Sequence, residues 1–103
     1  MDSQSTIRGL AGMELEWTTA ALDDLKRLHS FLAAVNEPAA GRAVAMLGMA
    51  AKKLVSNPRL GRQLEKFRPR EVRRIIVGAY EIRYEIQAAR VIVLRLWHTR
   101  EDR

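Results

Sequence analysis

The chain ends Leu96-Trp97-His98-Thr99-Arg100-Glu101-Asp102-Arg103, directly out of the apolar run Val91 to Trp97. A histidine, two arginines and two carboxylates within a few residues could serve proton transfer beside a phosphate clamp. The same residue types make a solvated, salt-bridged tail equally well. Which of the two applies depends on what the rest of the chain places beside them.

Composition closes several routes. With 103 residues, 48% of them apolar, the chain is long enough for one domain with a real core. It has no cysteine, so disulfide scaffolds, thiol nucleophiles and thiolate zinc sites are excluded, which fits a cytoplasmic protein. The two histidines, His29 and His98, fall on different elements, so neither a metal nor a cofactor is expected. The longest central stretch without charge, Ala43 to Ala51, is far short of the roughly 20 residues that cross a bilayer, so no membrane partner is expected. Residues 1 to 12 are polar and lack an apolar signal core, and read as a flexible arm. A natural start at Met13 would make the arm an upstream mis-start and leave 13 to 103 as the folded domain.

Charge is unevenly spread. Residues 1 to 51 hold four basic and six acidic side chains, whereas residues 52 to 103 hold fourteen basic and six acidic, for net charges of −2 and +8. Such a field attracts nucleic acid, a nucleic-acid machine or an acidic protein.

The elements that would position these charges follow from periodicity. Met13, Leu15 and Trp17 alternate with Glu14 and Glu16 as in a half-buried strand. Thr18 or Thr19 can cap a helix over about 19 to 34, with Asp23 and Asp24 near the positive end of its dipole and Leu22, Leu25, Leu28 or His29, Leu32 and Val35 on one stripe. Asn36 or Glu37, with Pro38 in the first turn, opens a second helix that Asn57-Pro58 stops. Its stripe of Ala40, Val44, Leu47, Ala51 and Leu54, with Gly41 and Gly48 nearby, suggests close approach to a neighbour. After a basic loop from 57 to 71, three strands are predicted over 71–77, 80–86 and 90–98, joined by hairpin-length connections. Tyr80, Ile82, Tyr84 and Ile86 would face the core. Glu81, Arg83 and Glu85 would face away, with Arg73 and Arg95 beside them. Trp17 and Trp97 read as core aromatics. The fold class is α+β: an N-terminal strand, then an antiparallel helical hairpin packed on one face of an antiparallel sheet with a three-stranded C-terminal meander.

In that order, the motifs "WTTAALDDL", "NPRLGR", "VGAYEIRYEI" and "LWHTRED" resemble the RelE/ParE superfamily of toxins from type II toxin-antitoxin pairs, over essentially all of residues 13 to 103. The resemblance implies a small basic toxin neutralised by a cognate antitoxin. In the ParE branch that antitoxin is ParD-like, with a DNA-binding N-terminal half and a C-terminal half that wraps the toxin, so that the toxin meets operator DNA only through it. ParE-like members act on DNA gyrase. RelE-like members cut mRNA on the ribosome, using basic residues on the sheet and a tyrosine just past the last strand.

Two departures favour the ParE branch. Where the nucleases hold an arginine before the central turn, this chain has Ile75-Ile76-Val77, and no tyrosine follows Trp97. A nuclease alternative would rest on Arg83, Arg95 and Arg100 as phosphate clamps with His98 as acid or base. Target contact is expected from Arg59, Arg62, Arg73, Arg74, Arg83 and Arg100. Antitoxin contact is expected from Leu25, Leu32, Val44, Leu47, Arg83 and Arg95. Arg100 could instead bridge to Glu81 or Glu85, and Glu101 and Asp102 could be solvated or pair with the basic loop.

Overall fold

The structure, a computed structural model, describes residues 5–8 and 13–101. The expected arm lies outside them except for Ser5–Arg8, which forms strand β1. Strand β2 (Glu14–Trp17) leads into helices α1 (Thr19–Ala33) and α2 (Glu37–Ser56), a two-residue strand β3 (Arg62–Gln63) and a 3-10 turn (Glu65–Phe67). Strands β4 (Glu71–Val77), β5 (Tyr80–Gln87) and β6 (Arg90–His98) complete the meander. The sheet order is β1-β2-β6-β5-β4-β3.

Capping chemistry fixes the helix starts. Thr18 accepts the Ala21 N–H at 3.0 Å and Asn36 accepts the Ala39 N–H at 3.1 Å, each satisfying an amide the helix cannot. Ala40, Ala43, Leu47, Ala51, Leu54 and Val55 form the buried stripe of α2. On α1 the stripe is shorter than periodicity predicts: Leu28 is buried, but Val35 is 87% exposed because the helix ends before it. Gly41 and Gly48 do not mediate close packing, since a Cβ at either would meet nothing within 4 Å.

The sheet is mixed. β2 runs parallel to β6, pairing Glu14 with Arg90 and Trp17 with Val93, whereas β6, β5, β4 and β3 are antiparallel neighbours. A parallel neighbour requires a long crossover, which the helical hairpin and meander supply. The core lies between the hairpin and one sheet face, where Leu15, Trp17, Ile82, Tyr84, Val91 and Leu96 pack with Leu28, Leu47 and Leu54.

A bulge decides the facing of β6. Arg83 pairs with Arg95 but Tyr84 pairs with Val93, leaving Leu94 as the extra residue. Parity therefore switches, so that Leu96 joins Val91 and Val93 in the core while Arg95 and Trp97 turn to the opposite face. Trp97 is buried, but not in the core expected for it. Thr18 stabilises the bulge by donating its hydroxyl to the Leu94 carbonyl at 2.9 Å.

Candidate functional site

The face of the sheet opposite the helices carries a ladder of charge and aromatic rings. Glu81 in β5 is fully buried and bridges Arg74 of β4 at 3.1 Å and Arg83 at 3.6 Å. The Arg83 guanidinium lies between two rings, 4.7 Å from the Trp97 centroid and 5.5 Å from that of Phe67. Phe67 is brought there by the 3-10 turn, which folds the basic segment across the sheet; this segment reads as a plain loop in the sequence. Arg62, Lys66, Arg74 and Arg83, with Leu64 and Trp97, line a cleft of about 490 Å³. Three cations around the stacked Arg83 guanidinium suit an anion or an acidic surface.

Arg73 belongs to the other side of β4. Register pairs Arg74, and not Arg73, with Arg83, and the Arg73 side chain bonds Glu71 and the Gly61 carbonyl at 2.9 and 2.7 Å. Arg59 also binds Glu71, through two 2.9 Å bonds. Burial would raise the Glu71 carboxyl, but these arginines outweigh it and hold it below its usual range. Of the six arginines expected to meet a target, Arg62 makes no side-chain hydrogen bond or ion pair among the described residues, and the Arg100 guanidinium makes none either. The others are engaged within the fold.

Arg95 is held by α1. Its guanidinium donates to the Asp24 carboxylate at 2.7 and 3.1 Å, and the Leu96 N–H donates to the same carboxylate at 2.8 Å. Arg27 adds bonds to Asp24 and to the Leu96 carbonyl, at 3.0 and 3.2 Å. β2 ends at Trp17, and beyond it Asp24 and Arg27 supply Leu96 with the acceptor and donor that a continuing strand would have offered. Burial would raise the Asp24 carboxyl, but the bonds from Arg95, Leu96 and Arg27 prevail and lower it. In the sequence Asp24 reads only as a helix-dipole residue.

The C-terminal charges form a separate group. His98 meets Tyr80 edge-on at 5.4 Å, and its Nδ1 accepts the Arg100 N–H at 3.1 Å. Glu101 accepts the His98 N–H at 2.7 Å and pairs with Arg27, so it closes a turn against α1 and does not reach the basic loop. Arg100 bridges neither Glu81 nor Glu85; the latter is held by Arg70 at 2.7 Å. Asp102 lies outside the described residues. Arg100, His98, Tyr80, Phe31 and Leu32 border a mostly apolar recess of about 460 Å³ at the end of α1.

Arg83 and Arg95 thus face one side of the sheet, and His98 and Arg100 border the recess on the helix side. The tail is a salt-bridged turn, and the four residues of the nuclease alternative do not converge. Among the expected antitoxin contacts, Leu25 and Val44 line a shallow groove between the helices. Leu32 borders the recess. Leu47 is 0% exposed, so it supports the fold and offers no surface. Among the described residues no group of His, Cys, Asp and Glu could hold a metal ion, and no helix is long and apolar enough to cross a membrane.

The family model for the ParE toxin of the type II toxin-antitoxin system parDE matches residues 15–103. The chain belongs to the ParE toxin family. A solved structure described as the chromosomal ParDE TA system from P. aeruginosa is similar to it, with a TM-score of 0.70 and 24% sequence identity over 84% of this chain and 95% of that one. At that identity the likeness shows the ParE-like α+β fold. A search of curated proteins finds no match. Against this family background the outer-face cleft and the apolar surfaces become candidate places for a target and an antitoxin.

Proposed function

We propose that this ParE-family chain arrests growth by binding DNA gyrase and stalling it with DNA cleaved, and that a cognate ParD-like antitoxin restrains it in the cytoplasm. The antitoxin would bind operator DNA through its N-terminal half and wrap the toxin with its C-terminal half. The observation that carries the gyrase reading over RNA cleavage is the separation of Arg83 and Arg95 from His98 and Arg100. Cleavage through a 2′-OH needs a proton acceptor, charge stabilisation and a proton donor within reach of one phosphate. Here Arg83 and Arg95 are committed to Glu81 and Asp24, and His98, with Arg100 as the one arginine of the three beside it, is on the other side of the sheet. The cleft of Arg62, Lys66 and Arg74 supports contact with an anionic or acidic target, to which long-range attraction would add association speed.

A second reading, a ribosome-dependent mRNA endonuclease, draws on the same cleft, whose cations and Trp97 would suit an RNA strand. Brief expression without antitoxin separates the two. Chromosome breaks and an SOS response with intact mRNA are expected. Codon-positioned mRNA cuts with undamaged DNA would replace the gyrase reading by the endonuclease one.

A further inference from the structure

Six large apolar side chains stand exposed among the described residues, and four of them, Met46, Met49, Leu60 and Ile76, gather in one place. They line a groove of about 810 Å³ between α2 and β4, whose floor includes Ala50 and Val77. Arg42, Lys53, Arg62 and Arg74 stand around it, and no carboxylate among the described residues lines it. An apolar trough with a wholly cationic rim fits a segment that alternates apolar and acidic residues. A second copy of this chain fits poorly, because a two-fold contact would set these cations against themselves.

The backbone adds a second, independent feature. β3 covers only Arg73 and Arg74 of β4, so among the described residues Ile75, Ile76 and Val77 have no strand on that side. The Val72 carbonyl points outward, accepting the Leu64 N–H at 2.8 Å. Alternate residues of an antiparallel strand point the same way, so Ile76 presents its N–H and carbonyl to the groove. Such an edge is a template for an added strand.

We propose that this groove is where the antitoxin docks: an extended apolar-acidic segment adds to the sheet edge at Ile76, seats alternate side chains on Met46, Met49 and Leu60, and sets its carboxylates against Arg42, Lys53, Arg62 and Arg74. This rests on the antitoxin reading above and deepens it. Arg62 and Arg74 also line the outer-face cleft, so a segment that binds them in the groove takes two cations from the target surface at the same time. Neutralisation then follows from occupancy of shared residues, with no conformational change in the toxin required.

The test uses the full chain and the product of the gene adjacent to it. Dissociation constants are measured for the unaltered chain, Met49→Glu and Ile76→Pro, with thermal melts as the fold control and amide exchange followed at Ile76. Met49 is 64% exposed, so Met49→Glu should fold normally, and proline at an outward-facing edge position removes an N–H that the β4–β5 ladder does not use. Expected are slowed exchange at Ile76 in the complex and at least a tenfold rise in Kd for each folded variant. A complex that forms with unchanged Kd for Met49→Glu, or with unchanged exchange at Ile76, overturns the docking and leaves the antitoxin reading standing. Failure of the unaltered chain to form any complex overturns the antitoxin reading and the docking with it. Protection of Ile76 by the toxin alone at high concentration would assign the groove to self-association instead.

Discussion

Asp24 shows how far a single side chain's role depends on its surroundings. It accepts from two arginines and a backbone amide while 3% exposed, so Asp24→Ala leaves the Leu96 N–H and part of Arg95 without acceptors in a largely buried place. Loss of about 3 kcal/mol in denaturant unfolding is expected. Asp24→Asn keeps an acceptor for Leu96 and should cost less. The Asp24 carboxyl is depressed in the folded chain; its stabilisation is therefore present above the unfolded value near 3.8 and lost as pH falls through the lower folded value. The stability gap between the unaltered chain and Asp24→Asn should accordingly shrink as urea titrations move from neutral pH to below that value. A constant gap would mean that charge contributes nothing at this site. Tyr84 is a second such residue: its hydroxyl accepts the Gly61 N–H at 2.9 Å and donates to the Pro58 carbonyl at 2.7 Å, with burial raising its pKa. Tyr84→Phe should cost about 1–2 kcal/mol and speed amide exchange at Gly61.

At the scale of elements, the glycines separate two kinds of constraint. In α2, an added methyl at Gly48 would enter open space, and alanine favours helix over glycine by about 1 kcal/mol. Gly48→Ala should therefore raise the melting temperature, and a lowered one would show that α2 needs flexibility there. Gly61 is the opposite case. A Cβ there would lie 2.6 Å from the Arg74 carbonyl oxygen and 2.8 Å from the Ile75 side chain. Backbone cannot yield as a flexible side chain can, so Gly61→Ala should push β3 off β4 and destabilise the chain by about 2 kcal/mol or more. That close approach is visible in the sequence only as a turn glycine. β3 itself, two residues long, carries no periodicity that would reveal a strand. The 3-10 turn likewise owes its place to Phe67 stacking on Arg83, a contact between segments far apart in the chain.

For the whole molecule, the decisive property is where the excess positive charge ends up. Much of it is neutralised internally: Arg59 and Arg73 on Glu71, Arg70 on Glu85, Arg90 on Glu16, Arg95 on Asp24. Along the cleft and groove, Arg42, Lys53, Arg62 and Lys66 carry no ion pair among the described residues and remain for a partner. Reversing the charge of Arg62 and Lys66 together should abolish growth arrest on expression without antitoxin while leaving the thermal melt nearly unchanged, because neither side chain is in an ion pair among the described residues. Full toxicity in that double variant would move the target surface elsewhere. Association with the target should also slow steeply as salt rises, since the cations on that cleft are exposed or only half-buried.

Local chemistry was enough to place the helices and the meander strands. Caps at Thr18 or Thr19 and at Asn36 or Glu37, the stop at Asn57-Pro58 and the alternation in Tyr80 to Ile86 act over a few residues, so the sequence displays them to within a residue. It also displayed the core face of β5, and the four motifs carried the resemblance to the toxin superfamily. Tertiary structure decided the rest. One extra residue at Leu94 moved Arg95 and Trp97 to the outer face, and a strand ending at Trp17 gave Asp24 its work at Leu96. The α1 helix drew Glu101 and the tail away from the arginines of the sheet. Each of these turns on which distant atoms meet, and that is set by the packing of hairpin on sheet, to which no local pattern in the chain has access.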